Sequence, residues 1–391
     1  MKIKLNDNFK NVSESYLFST INKKVSDYKK INKDAPIIRM GIGDVTLPLP
    51  KIVVDAMHNA VSEMGVIDTF KGYPPEWGYS FTKEAVLKYY KNYNVDLILD
   101  DIFISDGAKT DVSNILDILG HNEVYITSPV YPVYIDSNTM NGNSIHILHG
   151  NKENRFSPLP VGLDNSAKVI YLCSPNNPTG ASYTYNELKL WVEHAVSTGS
   201  LIIFDSAYEA FIEDKNIPHS IFEIEGAREC AIEIGSLSKS CGFTGVRCGY
   251  TIIPANLEIN KIWRRREATK FNGVSYVTQR AAEAALSPDG VKACQENIAY
   301  YKRNAKALAK CFDELGIFYT GGHNSPYIWL ECPNGMKSWD FFDSLLTKAN
   351  VIGTPGVGFG LEGYFRLTSF NTYENTIEAI ERIKKILGKQ D

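Results

Sequence analysis

The chain of 391 residues carries a formal charge of −4 and a pI near 6.0. That balance, with no long basic run, argues against nucleic acid or an anionic lipid surface as partner, and no apolar run approaches the length of a membrane span. A chain this long can bury a large core and is expected to form two domains or one large α/β unit. The seven cysteines are scattered through apolar runs without a CxxC pair, so neither a metal site nor a disulfide framework is indicated and a reducing cytoplasm is expected. The polar start, MKIKLNDNFKN, lacks the apolar stretch of a signal peptide.

Residues 1–36 are polar apart from Tyr16, Leu17 and Phe18, then follow a helical spacing through Ile21, Val25 and Tyr28. An arm or a short helix packed on another element is expected. IIRMGIGD (37–44) reads as a buried strand ending in glycines, and Pro50 opens a helix to about Met64. KGYPPEWGY (71–79) is rich in turn formers; a glutamate between prolines and aromatics suits either a binding loop or plain surface. After a helix to about Tyr93, IFISDGAK (102–109) reads as strand, turn and helix start. Gly107 lets the chain turn, so the amides of residues 108–110 should point outward as an anion site, with the helix running to Leu119.

EVYITSP (123–129) is the next strand, with Tyr131 at its mouth, and Ile145–Leu148 is another. KVIYLCSPNNPTG (168–180) is a strand breaking into a loop. Thr184 and Glu187 form a capping box for a helix to about Ser197. LIIFDSAY (201–208) is an apolar strand ending on Asp205, and ECAIEIG (229–235) is a strand with Lys239 just past its end. From about 256 the chain turns largely helical: WRRRE (263–267) reads as a solvated or interface face. Ala307, Leu308, Cys311, Phe312 and Leu315 make one stripe stopped by Gly316. SPYIWLEC (325–332) and EGYFRLTSF (362–370) are strands, with a helix near 337–348 and a last amphipathic helix to Leu387.

Alternating apolar strands and amphipathic helices predict a parallel sheet covered on both faces, with ligands beyond the strands' carboxyl ends. Neither a G-x-G-x-x-G opening a helix nor a GK[ST] after a strand is present. The motifs at those strand ends carry chemistry. Lys239 in a Ser/Gly-rich loop is either a solvated turn lysine or an amine able to form a Schiff base with a carbonyl cofactor, with hydroxyls and Arg247 for a phosphate. Asp205 at the end of an apolar strand is either an ordinary cap or a desolvated acid needing a cationic partner, such as a protonated pyridine nitrogen. Tyr208 could reach a ring hydroxyl, and Arg366 could clamp an α-carboxylate or join a structural ion pair.

SPNNPTG, then DSAY, then SLSK with GVRCG, then FR, in that order, resemble the fold-type-I pyridoxal-phosphate aminotransferases of the aspartate aminotransferase superfamily. The resemblance covers nearly the whole chain and implies an α/β fold. Its large domain (45–285) would hold a mostly parallel seven-stranded sheet covered by helices, and residues 1–44 and 286–391 would form a smaller α+β domain with the N-terminal arm. IIRMGIGDVTLPLP, GYPPEWGY, FISDGAKTD, SPVYPVYID, FNG and TPGVGFG are similar, more closely, to the LL-diaminopimelate aminotransferase family. That implies amino transfer between LL-2,6-diaminopimelate and 2-oxoglutarate on the route to lysine, with aspartate, aromatic or other amino acids as the alternative.

The resemblance implies pyridoxal 5′-phosphate with Lys239 as its Schiff-base lysine, Asp205 at the pyridine nitrogen, and Asn177 and Tyr208 at the ring oxygen. The phosphate would lie on Ala108, Lys109, Ser236, Ser238 and Arg247. Tyr131 would stack on the ring, Tyr73 would reach in from the second subunit of a homodimer with shared sites, and Asn272 would also border the cofactor. Substrate contacts would be Arg366 and Gly43 at the α-carboxylate end, beside Tyr131 and Asn177, and Tyr16, Glu76, Lys109 and Asn272 at the distal end. A second ammonium and a second carboxylate need one acid and several donors together, and an apolar substrate would leave Glu76 unpaired. The chain departs from the family pattern at Pro74, Trp77 and Ser128, and it is shorter near 150–165 and 255–271.

Overall fold

The structure, a computed structural model, describes residues 3–12 and 17–388. Its strands are β1 (Ile38–Arg39), β2 (Ile102–Ser105), β3 (Glu123–Ser128), β4 (Ser144–His149), β5 (Val169–Cys173), β6 (Leu201–Asp205), β7 (Ala231–Ser236) and β8 (Gly249–Ile252), followed by β9 (Tyr319–Gly321), β10 (Tyr327–Glu331), β11 (Val351–Ile352), β12 (Thr354–Pro355) and β13 (Tyr364–Thr368). A seven-stranded sheet runs in the order β2-β8-β7-β6-β5-β3-β4. All its pairings are parallel except those of β8, which lies antiparallel to β2 and to β7.

Successive residues of the central strands feed opposite cores. Ile202 and Phe204 join one apolar cluster with Trp191 and Tyr250, while Ile203 joins another with Phe103, Ile126 and Trp263. Burial on both faces is why these strands read as unbroken apolar runs. One buried acid interrupts them: Glu233 on β7 accepts from Tyr90 (2.6 Å), Ser206 (2.9 Å) and Ser220 (2.5 Å). Those bonds satisfy the carboxyl and tie the end of β6 to β7 behind Asp205.

A four-stranded antiparallel sheet, β12-β13-β10-β9, builds a separate core with the helix Leu17–Ile31 and the last helix, Tyr373–Leu387. The 28-residue helix Pro288–Leu315 spans both regions, its Cys294 packed in the first core and its Leu308 and Phe312 in the second. Among the described residues no helix is long and apolar enough to cross a membrane.

Several expectations change. IIRMGIGD yields only the two-residue β1, paired parallel with β11. Beyond it the Gly41 carbonyl accepts from the side chains of Arg366 (2.6 Å) and Thr354 (2.8 Å) rather than from a strand's backbone N–H. The helix after Gly107 ends at Asn114 and tightens into a 3-10 turn over Ile115–Asp117, short of Leu119. WRRRE is solvated only in part: Arg265 is exposed, but Trp263 and Glu267 are buried, and Arg266 bonds Asp117 and Glu267. The antiparallel β8 was hidden in the glycine-rich GVRCGYTII stretch.

Candidate active site

The antiparallel hairpin β7–β8 explains where Lys239 sits. Its loop, Leu237–Cys248, starts at the carboxyl end of β7, and Gly249 opens β8 directly opposite Ser236 and Ser105. A Cβ at Gly249 would stand 2.8 Å from the Gly107 Cα and 2.9 Å from the Gly235 carbonyl. Only glycine therefore lets the turn after β2 close on the lysine loop. The result is a cavity of about 400 Å³ at the sheet's carboxyl edge, with Arg366 and Tyr327 of the smaller sheet on its other wall.

One corner suits a phosphate. Gly107 has φ 130°, and a Cβ there would lie 2.5 Å from an Arg247 Nη. Arg247, itself at φ 67°, turns its guanidinium back to donate to the Ser238 hydroxyl (3.4 Å) and the Thr244 carbonyl (3.1 Å). Ser236 caps the short turn that carries the lysine, accepting from the Ser238 N–H at 3.1 Å. Of the three amides expected to face an anion, that of Thr110 is spent on the Gly107 carbonyl, which leaves the first turn with Ala108 and Lys109. A guanidinium, two hydroxyls and two amides around one gap match a dianion.

Asp205 lines the same cavity. Its carboxylate accepts from the Tyr134 hydroxyl (2.5 Å) and the Ala207 N–H (3.0 Å). Burial raises its pKa, opposed by those two bonds. Among the described residues no lysine, arginine or histidine pairs with it within salt-bridge range. A buried acid with no protein cation, facing open space, has the chemistry to receive a cationic ring nitrogen, so the residues present fit pyridoxal 5′-phosphate.

Lys239 lies across that space, its Nζ donating to the Gly43 carbonyl and standing 5.8 Å from the Phe370 ring. Burial lowers its pKa to about 8; Asp44 pulls it up, while Arg366 and Arg247 push it further down. A desolvated amine that is neutral in substantial part near pH 8 is a nucleophile and a proton carrier. Arg366 is fully buried, donating to Asn177 (2.6 Å) and the Gly41 carbonyl (2.6 Å), with aromatic rings of Tyr327 and Phe359 within 4.7 Å of its Cζ.

The structure thus gathers Gly43, Ala108, Lys109, Tyr131, Asn177, Asp205, Tyr208, Ser236, Ser238, Lys239, Arg247 and Arg366 around one cavity. Tyr73, Glu76 and Asn272 are not among its lining residues. The loops that carry them meet elsewhere, where a Cβ on Gly273 would stand 2.5 Å from the Pro75 carbonyl, and Tyr73 is 89% exposed. Tyr16 lies outside the described residues. Sequence reasoning missed Phe18, Tyr134 and Tyr327, which also line the cavity. Tyr134 falls one helical turn beyond Tyr131, a spacing that could have placed it on the same face.

A family model described as aminotransferase class I and II matches residues 35–383. The LL-diaminopimelate aminotransferase of Lachnospira eligens is 49% identical over 405 residues, covering 98% of this chain and 100% of the relative. That of Bacteroides fragilis is 49% identical over 409 residues, covering 98% and 99%. Among solved structures, L,L-diaminopimelate aminotransferase from Chlamydomonas reinhardtii superposes with a TM-score of 0.93 at 38% identity, covering 99% of this chain and 100% of that one.

Proposed function

Since this chain belongs to the class I and II aminotransferases, enzymes that carry pyridoxal 5′-phosphate, we propose that it exchanges an amino group between LL-2,6-diaminopimelate and 2-oxoglutarate, in lysine biosynthesis. The observation that carries this reading is the placement of Lys239, Asp205 and Arg366 around one cavity of about 400 Å³, in a chain 49% identical over its length to named diaminopimelate enzymes.

When bound, the cofactor supplies a carbonyl that condenses with amines and a cationic ring that withdraws the electron pair left at a substrate's α-carbon. The chain's own residues would hold and time that chemistry. Arg247, Ser236, Ser238 and the Ala108 amide would hold the phosphate, while Asp205 would accept from the ring N–H and keep it protonated. Asn177 and Tyr208 would serve the ring oxygen, and Tyr131 would border the ring. Arg366 binds the α-carboxylate, which fixes the α-proton toward the Lys239 amine. Lys239, placed beside that carbon, would take up and return the α-proton at its Nζ.

The distal end needs a second copy of the chain. Tyr73, Glu76 and Asn272 do not line the cavity of their own chain, and the segment before Tyr73 exposes the apolar residues Ile67 (93%) and Phe70. We assign that face to a homodimer interface that delivers Tyr73, Glu76 and Asn272 to the neighbouring cavity, where Glu76 pairs the distal ammonium. A Glu76→Ala chain should lose diaminopimelate turnover yet still hold cofactor. Mixed and reassembled with Lys239→Ala chains, also inactive, it should regain up to about a quarter of wild-type activity, because half the dimers then own one intact site. No recovery in a demonstrably mixed dimer sinks the shared site. Seven free, buried cysteines suit a cytoplasmic setting.

The test of the substrate is direct. Purified protein loaded with cofactor is given 2-oxoglutarate with LL-diaminopimelate, aspartate, alanine or an aromatic amino acid, and glutamate formation is measured. Glutamate formed from the monoamino acids but not from diaminopimelate would reject the proposed substrate and leave the aminotransferase assignment standing.

A further inference from the structure

We propose that Tyr327 is a positioning residue that donates its hydroxyl proton to Tyr208 and so links the carboxylate-binding Arg366 to the cofactor's ring oxygen. The proposal rests on the reading that places that oxygen at Tyr208 and Asn177.

Tyr327 opens β10 in the smaller sheet and is 1% exposed. Its hydroxyl lies 2.6 Å from that of Tyr208, just beyond β6 of the large sheet, and the two rings meet edge to face at 5.1 Å. The face of the Tyr327 ring lies 4.6 Å from the Arg366 Cζ. One side chain therefore touches both the group that would receive the substrate and a group that would receive the cofactor.

The direction of the hydrogen bond follows from chemistry. Burial pushes both phenols up, so both keep their protons at neutral pH. Two neutral hydroxyls at that distance share one bond, one donating and one accepting. If Tyr208 turns its proton into the cavity, its oxygen is left as the acceptor, and the donor is Tyr327. A phenol that accepts is polarised into a better donor. Tyr327 would then strengthen the bond from Tyr208 to an anionic ring oxygen. A second route runs through Arg366, which donates to the Asn177 side-chain oxygen at 2.6 Å and leaves that amide's N–H₂ for the same ring oxygen.

Gly43 belongs to this arrangement. A Cβ there would stand 2.6 Å from the Tyr327 hydroxyl oxygen, so the segment whose carbonyl meets Lys239 can pass over the phenol only as glycine. A purely space-filling tyrosine would account for that packing as well. The test has to read the hydroxyl rather than the ring.

Tyr327→Phe keeps the ring over Arg366 and removes only the oxygen. In the resting enzyme with cofactor bound and no substrate, the absorbance-monitored titration midpoint should rise by roughly half to one pH unit, because a weaker Tyr208 donor stabilises the ring's phenolate less. In a Tyr208→Phe background the same substitution should add no further shift. Tyr327→Met, apolar but without a hydroxyl, carries the same readout if the phenylalanine chain holds cofactor poorly. A midpoint that moves in Tyr208→Phe but not in Tyr327→Phe overturns the proposal. An equal shift from Tyr327→Phe with and without Tyr208 overturns it too, since the effect would bypass the phenol. A midpoint unmoved in Tyr208→Phe removes the placement of the ring oxygen itself, and this link falls with it.

Discussion

Replacing Lys239 by alanine is expected to lower turnover by at least about 10⁴-fold, the combined loss of a nucleophile and of the base that moves the α-proton. Cofactor should still bind, because Arg247, Ser236, Ser238 and Asp205 stay in place on β6, β7 and the loop after β7. It should, however, now be removed by dialysis. The pH behaviour adds a second check. The buried amine, lowered to about 8, is mostly protonated at pH 6 and mostly neutral at pH 9. Covalent capture of added cofactor by the cofactor-free wild-type chain should therefore speed up as pH rises to about 8 and level off above it. Near-normal turnover by the alanine variant, measured as glutamate formed, would end the assignment of Lys239.

What the sequence made legible were features fixed by short-range rules. Short apolar runs bounded by turn formers marked β5, β6 and β7, with β7 starting two residues later than expected because Glu229 and Cys230 belong to a helical turn. The capping box at Thr184 and Glu187 was realised as expected, with Glu187 bonding back to Thr184 at 2.8 Å. Asp205 and Lys239 could be brought together because strand ends in such a sheet share one edge.

Features that depend on distant partners stayed hidden. Nothing local marks Tyr134 as the phenol behind Asp205, 71 positions away, or Tyr327 as the partner of Tyr208, 119 positions away. IIRMGIGD looked like a strand because its residues are apolar, yet the Gly41 carbonyl is taken by an arginine 325 positions on. Trp77, a departure from the family pattern, acquires a reason only in three dimensions: its ring lies 4.4 Å from the Arg264 Cζ and its indole N–H donates to the Arg264 carbonyl. Tyr73, Glu76 and Asn272 follow a different logic again. They lie outside the cavity of their own chain, a separation that no local pattern in the sequence marks.

Asp205→Asn separates what this acid does for the fold from what it does for the reaction. In the cofactor-free chain the carboxyl is buried and its pKa is raised. An acid shifted that way helps folding below its unfolded pKa and loses that contribution as pH rises through the folded value. At neutral pH the ionised form is therefore a cost, and the neutral amide should leave the melting temperature of the cofactor-free protein unchanged or higher. The Tyr134 hydroxyl and the Ala207 N–H bond different carboxylate oxygens; in an asparagine Oδ1 keeps the Ala207 N–H, and the amide N–H₂ donates to the Tyr134 oxygen, whose hydroxyl turns away. Catalysis should respond in the opposite sense. Without a negative partner the ring nitrogen loses its proton and the electron sink weakens; removing one member of a buried ion pair costs about 3–5 kcal/mol, roughly two to three and a half powers of ten in rate. Turnover down by that factor, with thermal stability of the cofactor-free chain preserved, is the expected pair of results. A variant that folds, binds cofactor and turns over within a few-fold of wild type would mean that Asp205 does not face the ring nitrogen, and the cavity would need another occupant.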